Sequence, residues 1–198
     1  MLNILDLSVV LDGYTLHYDL NVIKGECVAI QGASGVGKTT LLNMIAGFLK
    51  PESGAIFWDG MDICQLTTEQ RPVSMLFQDH NLFEHLSVIN NLQLGFEKAP
   101  PQQQILQACQ ALGITDQLEK MPPQLSGGQR QRVALIRTLL RPEPIVLLDE
   151  PFAELDPESR RAAALWTREE AKRAGKTLLL VTHQDEDVSL VADRAIRL

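Results

Sequence analysis

Residues 25–40 read Gly-Glu-Cys-Val-Ala-Ile-Gln-Gly-Ala-Ser-Gly-Val-Gly-Lys-Thr-Thr, an apolar run that empties into a glycine-rich loop. Gly32, Gly37, Lys38 and Thr39 fit the spacing G-x-x-x-x-G-K-[ST]. In that pattern backbone N–H groups surround phosphate oxygens, the lysine reaches the β/γ oxygens and the hydroxyl binds Mg²⁺. The stretch Gly32, Ala33, Ser34, Gly35, Val36 and Gly37, with Lys38, Thr39 and Thr40, is therefore the candidate phosphate cradle. Small residues matter because the backbone must approach the anion closely, and the N–H groups and dipole of a following helix favour negative charge. A chance glycine-rich turn is the competing reading. The strand-like run before the loop and the helical spacing of Leu41, Leu42, Ile45 and Ala46 after it argue against that.

Two further stretches carry chemistry. Ile145-Val146-Leu147-Leu148 is a fully apolar run ending in Asp149-Glu150. One acid there can organise Mg²⁺ and its waters, while the next can orient and deprotonate an attacking water; a plain acidic turn is the alternative. Leu125-Ser126-Gly127-Gly128-Gln129 runs into the helical pattern Val133 to Leu140. A serine cap and two glycines at a helix start form a second anion-binding surface. Gln78 follows the short apolar run Val73 to Phe77, with Asp79, His80 and Asn81 after it, and His183 follows Thr177–Thr182. Strand ends of this kind deliver polar side chains to the sheet edge where ligands bind. Tyr14 can lie on an adenine ring or be a simple loop aromatic. His17 reads as a solvated strand residue, and His80 and His85 lack metal-ligand spacing.

The elements that must position these residues follow from periodicity. Near-alternation over Leu2–Leu11, an Asp12-Gly13 turn and alternation over Thr15–Val22 predict an antiparallel hairpin, with Cys27–Gln31 as the strand feeding the cradle. Two short strands are expected around Asp59-Gly60. Residues 82–123 change character: Ser87 can cap a helix over Val88–Leu94, and Pro100-Pro101 opens Gln102–Leu112. Pro122-Pro123 ends this insert. Asp156 followed by Pro157 reads as a helix start, and Asp185, Glu186 and Asp187 suit the positive end of a last helix.

The bulk properties bound the setting. With 198 residues, 45% hydrophobic and 22% charged, the expectation is one domain with 1–81 and 124–198 as its body and 82–123 as a helical insert. No apolar run reaches the length of a membrane span, and the N-terminus lacks a signal-peptide pattern, so a cytoplasmic setting is expected. A net charge of −7 argues against nucleic acid as the main partner. Cys27, Cys64 and Cys109 are scattered and read as reduced thiols, and no metal cluster is expected outside the nucleotide site.

With the cradle, Gln78, Leu125–Gln129, Asp149-Glu150, Leu155-Asp156 and His183 in this order, the chain resembles the nucleotide-binding subunit of ABC transporters over nearly its whole length. Within that family, Arg71–Gln78 and Asn81-Leu82-Phe83-x-His85-Leu86 look most like the ATPases of bacterial thiamine importers. The resemblance implies an α/β P-loop fold of ABC type: a mainly parallel core sheet with helices, an N-terminal antiparallel β subdomain and a small helical subdomain. It implies an ATP hydrolase that uses ATP and Mg²⁺ to power translocation of a small solute such as thiamine. Carried over by position, Lys38 and the Gly32–Gly37 backbone hold phosphates, Thr39, Gln78 and Asp149 serve the metal, Glu150 is the general base and His183 contacts the γ-phosphate. Ser126, Gly127, Gly128 and Gln129 would close on the ATP of a second copy in a head-to-tail homodimer, with Asp156 at the seam. The insert and the loop after Gln78 would receive a membrane permease, placing the chain peripherally on the inner face of the membrane. A periplasmic or extracellular solute-binding protein would be an indirect partner.

Departures are specific. Ala33 and Thr39 stand where Pro and Ser are frequent, and Leu11 falls near the usual adenine-stacking aromatic, leaving Tyr14 as the substitute. Ala153-Glu154-Leu155-Asp156 lacks a serine and adds a carboxylate. The chain stops at Leu198, soon after His183, so the outer sheet edge is expected to be incomplete. The rival readings are a soluble ABC-type ATPase acting on nucleic acid or ribosomes, and a subunit that holds nucleotide without hydrolysing it.

Overall fold

A computed structural model describes residues 1–11, 13–78, 82–96 and 99–198. Asp12 of the expected first turn, and Asp79, His80 and Asn81 after Gln78, lie outside the described residues. The alternating N-terminal segments form strands β1 (Leu2–Leu11) and β2 (Tyr14–Val22), paired antiparallel. Strands β4 (Ser53–Trp58) and β5 (Met61–Asp62) complete an antiparallel sheet in the order β2-β1-β4-β5. Alternation in β1 is interrupted between Ile4 and Leu7, where the register shifts and Asp6 takes φ 45°. The irregularity lets Leu2, Ile4, Leu7 and Val9 all point into the core.

The second sheet is parallel: β6 (Val73–Leu76), β7 (Ile145–Asp149), β8 (Thr177–Val181), β3 (Cys27–Gln31) and β9 (Arg194–Arg197), in that order. Its central strands carry unbroken apolar runs, Cys27–Ile30, Ile145–Leu148 and Leu178–Val181, because both faces are covered. Val28, Ile30, Ile145, Leu147, Leu179 and Val181 face the antiparallel sheet and helix α1 (Lys38–Ala46). Cys27, Val146, Leu148, Leu178 and Leu180 face the other way. There they meet residues of α2 (Val88–Gln93), α3 (Gln102–Ala111), α4 (Gly127–Leu140) and α5 (Pro157–Arg173). Helix α6 (Asp185–Val191) precedes β9.

Local chemistry sets the helix ends. Ser87 accepts the Asn90 N–H, Ser126 accepts the Gln129 N–H while Gln129 answers the Ser126 N–H, and Asp156 accepts the Ser159 N–H. Strand β9, which the sequence reading did not anticipate, pairs with β3 from Val28↔Arg194 to Gln31↔Arg197 and forms the sheet edge. Its alternation is weak, since Arg194, Ala195 and Arg197 are exposed and only Ile196 packs on the core. Residues 82–123 hold α2 and α3 with short 3₁₀ turns, and their apolar residues share one core with α4, β7 and α5.

Candidate functional site

The C-terminal ends of β3, β7 and β8 and the start of α1 enclose a cleft of about 400 Å³. It is lined by Ser34, Gly35, Gly37, Lys38, Thr39, Thr40, Gln78, Asp149, Glu150 and His183, all singled out from sequence, together with Ala153 and Val181. Gly32 and Ala33 line an adjoining hollow that also reaches His183. Tyr14 and the Ser126–Gln129 segment do not line this cleft, and Tyr14 stands exposed at the hairpin end.

The cradle is built where β3 gives way to α1. Gly37 caps the helix at φ 101°, a backbone region that L side chains rarely adopt. A Cβ there would fall 2.3 Å from the Tyr18 hydroxyl. Tyr18 in β2 donates to the Gly37 carbonyl at 2.9 Å, so the antiparallel sheet props the loop from outside. Lys38 is buried, and its Nζ donates to the carbonyls of Gly32 and Ala33, both at 2.9 Å. The ammonium thus lies along the loop, held by two of its carbonyls.

Opposite stand the acids. The Thr39 hydroxyl donates to Asp149 Oδ2 at 2.7 Å, joining the α1 start to the end of β7. Burial pushes Asp149 above its ordinary value, against the opposing pull of the Thr39 bond, Lys38 and His183. Burial likewise raises Glu150, with Asp149 adding to the rise and His183 and Lys38 resisting it. His183 Nε2 lies 3.0 Å from Glu150 Oε1, close enough to form an ion pair when the imidazole carries a second proton, although the two atoms do not make a hydrogen bond. Glu150 Oε1 is itself buried and has no hydrogen-bond partner among the described residues. An acceptor held in that way suits a water or hydroxyl proton. A hydroxyl, a carboxylate and the Gln78 amide oxygen are the hard oxygen donors that Mg²⁺ accepts while retaining several waters. The cleft residues therefore fit that ion.

Several supporting residues escaped the sequence reading as parts of the site. Thr182, just before His183, donates to Asp187 Oδ2 at 2.7 Å, and Arg160 Nε lies 3.1 Å from Asp187 Oδ1. Burial raises Asp187, which the sequence suggested only as a helix-end acid. Gln131 sits 2% exposed on α4 beneath the Glu150 loop. Its signal was present: a polar side chain on the face that also carries buried Ala134, Leu135 and Thr138.

A family model described as ABC transporter matches residues 16–153, with the cradle and both acids inside the match. The chain belongs to the ABC transporter family. It is the ATP-binding and ATP-hydrolysing subunit of such a transporter. Among relatives, the thiamine import ATP-binding protein ThiQ of Vibrio cholerae serotype O1 is 46% identical, the match covering 90% of this chain and 77% of that protein. ThiQ of Escherichia coli O157:H7 is 44% identical, covering 99% and 87%. Among solved structures, the ATP-binding cassette MJ0796, dimeric in a post-hydrolysis state bound to ADP and Pi, superposes with a TM-score of 0.87 at 27% identity. That superposition covers 100% of this chain and 94% of the cassette. The fold is thus the ABC P-loop fold, and these relatives favour the transporter reading over a soluble ATPase acting on nucleic acid. Among the described residues no helix is long and apolar enough to cross a membrane.

Proposed function

We propose that this ABC subunit powers the import of thiamine through a separate membrane permease. The support for the cargo is the name shared by relatives that match nearly the whole chain at 44–46% identity. In this reading the chain sits on the inner face of the membrane through its permease, and a solute-binding protein delivers cargo from the other side. Residues 82–123 form the subdomain that receives the permease.

The observation that carries the chemistry is Glu150, half-buried in the cleft wall, whose Oε1 is buried without a hydrogen bond among the described residues and lies 3.0 Å from His183 Nε2. The cradle amides and Lys38 hold the phosphates of ATP. Glu150 accepts a proton from the attacking water, and His183 meets the γ-phosphate. Thr39, Asp149 and Gln78 would hold Mg²⁺, whose charge helps neutralise the phosphates. Positioning and charge stabilisation supply most of the catalysis.

We further propose that two copies join head to tail. Ser126, Gly127 and Gly128 present a capped helix start that lies outside the chain's own cleft, which suits a nucleotide held by another chain. The dimeric state of the MJ0796 cassette supports this arrangement. The test of the cargo is ATP hydrolysis by the chain co-purified with its membrane partner and reconstituted with the solute-binding protein. Thiamine should stimulate turnover and accumulate inside the vesicles. Stimulation by an unrelated solute but not by thiamine would contradict the assignment.

A further inference from the structure

We propose that Gln131 is a positioning residue for Glu150, and that through it helix α4 ties the nucleotide site of its own chain to the one its N-terminus serves on a second copy. The inference rests on the reading of Glu150 as general base and of the chain as a head-to-tail dimer.

Gln131 is 2% exposed, and an amide buried so deeply is costly unless both of its ends are bonded. Both are. Nε2 donates to the Glu150 carbonyl at 3.2 Å, and Oε1 accepts the Glu154 N–H at 2.8 Å. The partners fix the amide orientation, because a carbonyl needs a donor and an N–H needs an acceptor. One side chain therefore spans the whole loop that carries the catalytic carboxylate.

That loop needs support. Glu150 has φ 49°, in the left-handed region that is unfavourable for a residue with a side chain. The residue so held follows directly on β7, and its carboxylate lies 3.0 Å from His183 Nε2. The Glu150 N–H donates to Val181 O at 3.0 Å and the Glu150 carbonyl also accepts the Ala153 N–H at 3.3 Å. Gln131 adds the only one of these restraints that comes from α4.

The N-terminal turn of α4 touches the same loop. A Cβ on Gly127 would lie 2.0 Å from Glu154 Oε2, and one on Gly128 would lie 3.1 Å from the Glu154 carbonyl. The two glycines thus serve the fit to this loop as well as the approach of an anion. Helix α4 is rigid on the scale of one turn. A displacement of its Ser126 end, such as closing onto a phosphate would impose, is carried to Glu150 through Gln131 in the same element.

The test uses the subunit assembled with its permease. Gln131→Met keeps the volume and loses both hydrogen bonds. It should lower kcat on the order of 10²-fold, the cost of misplacing a catalytic group by about 1 Å, with KM for ATP and binding of a fluorescent ATP analogue unchanged. In the Glu150→Gln background, single-turnover hydrolysis should be the same with Gln or Met at 131, because the residue acts through a base already removed. If Met at 131 prevents folding, Gln131→Glu retains the volume and the acceptor for the Glu154 N–H, and is read in the same way. Wild-type kcat in the folded variants, a rise in KM alone, or an equal further loss in the Glu150→Gln background would overturn the proposal. Wild-type turnover by Glu150→Gln alone would instead remove the base assignment on which it rests.

Discussion

At the residue scale the site is a set of charges held where water solvates them poorly. Burial raises both Asp149 and Glu150. A base must be ionised to act, so activity should decline on acidification with a midpoint above the ordinary glutamate value of 4.5. A pH–rate profile of single-turnover hydrolysis checks this, and the acid limb should change shape in Glu150→Gln. The stability consequence has the opposite sense. A carboxyl whose folded value is raised favours the folded chain below its unfolded value, and that contribution is lost as pH rises through the folded value. At neutral pH ionised Glu150 therefore costs stability, and Glu150→Gln without nucleotide should melt higher than wild type, with the difference shrinking as pH falls. Equal melting temperatures across the range would contradict this account of the site. Sequence exposed the cradle and the two acids because their chemistry demands particular residue types at fixed spacing. It missed Tyr18 and Gln131 because each acts on a backbone group nineteen residues away, and Asp187 because its pairing with Arg160 exists only once α5 and α6 pack together.

At the scale of elements, two ends that the sequence reading passed over hold the sheet and α1 in place. Arg71, noted only as part of a resemblance, is buried and donates to Met44 O at 2.6 Å and Ile45 O at 2.8 Å. Its guanidinium closes the negative end of the helix that carries the cradle. Arg71→Ala should lower stability by roughly 2–3 kcal/mol, since it leaves buried carbonyls without a donor, and urea unfolding measures it. Asp193, before β9, accepts the Cys27 N–H at 2.9 Å, Arg168 at 2.9 Å and Lys172 at 2.5 Å. Desolvation pushes this carboxyl up, yet the three donors together hold it down at about 2. A lowered acid contributes stability above its unfolded value of 3.8, lost as pH falls toward about 2. Asp193→Asn should thus be less stable than wild type at pH 7, with the gap closing across that acid window in thermal melts. The hairpin, the capped helices and the apolar central strands were legible because alternation, caps and uninterrupted apolar runs are local signals. Strand β9 was not, because an edge strand with three exposed residues carries almost no periodicity.

At the scale of the whole molecule, the parallel sheet gathers the chemistry at one edge, while α4 presents its capped start elsewhere. In the proposed assembly each chain offers a cradle to the α4 start of the other, and two copies related head to tail would complete both sites. This claim is tested most directly by mixing two variants that are each inactive: Lys38→Ala, which removes the cradle cation, and Ser126→Arg, which blocks the α4 start. If each site takes its cradle from one chain and its α4 start from the other, the mixed dimer contains one site free of either substitution. ATP hydrolysis absent from both separate variants should then reappear on mixing. A mixture as inactive as its parts, although the two chains associate, would contradict the shared site.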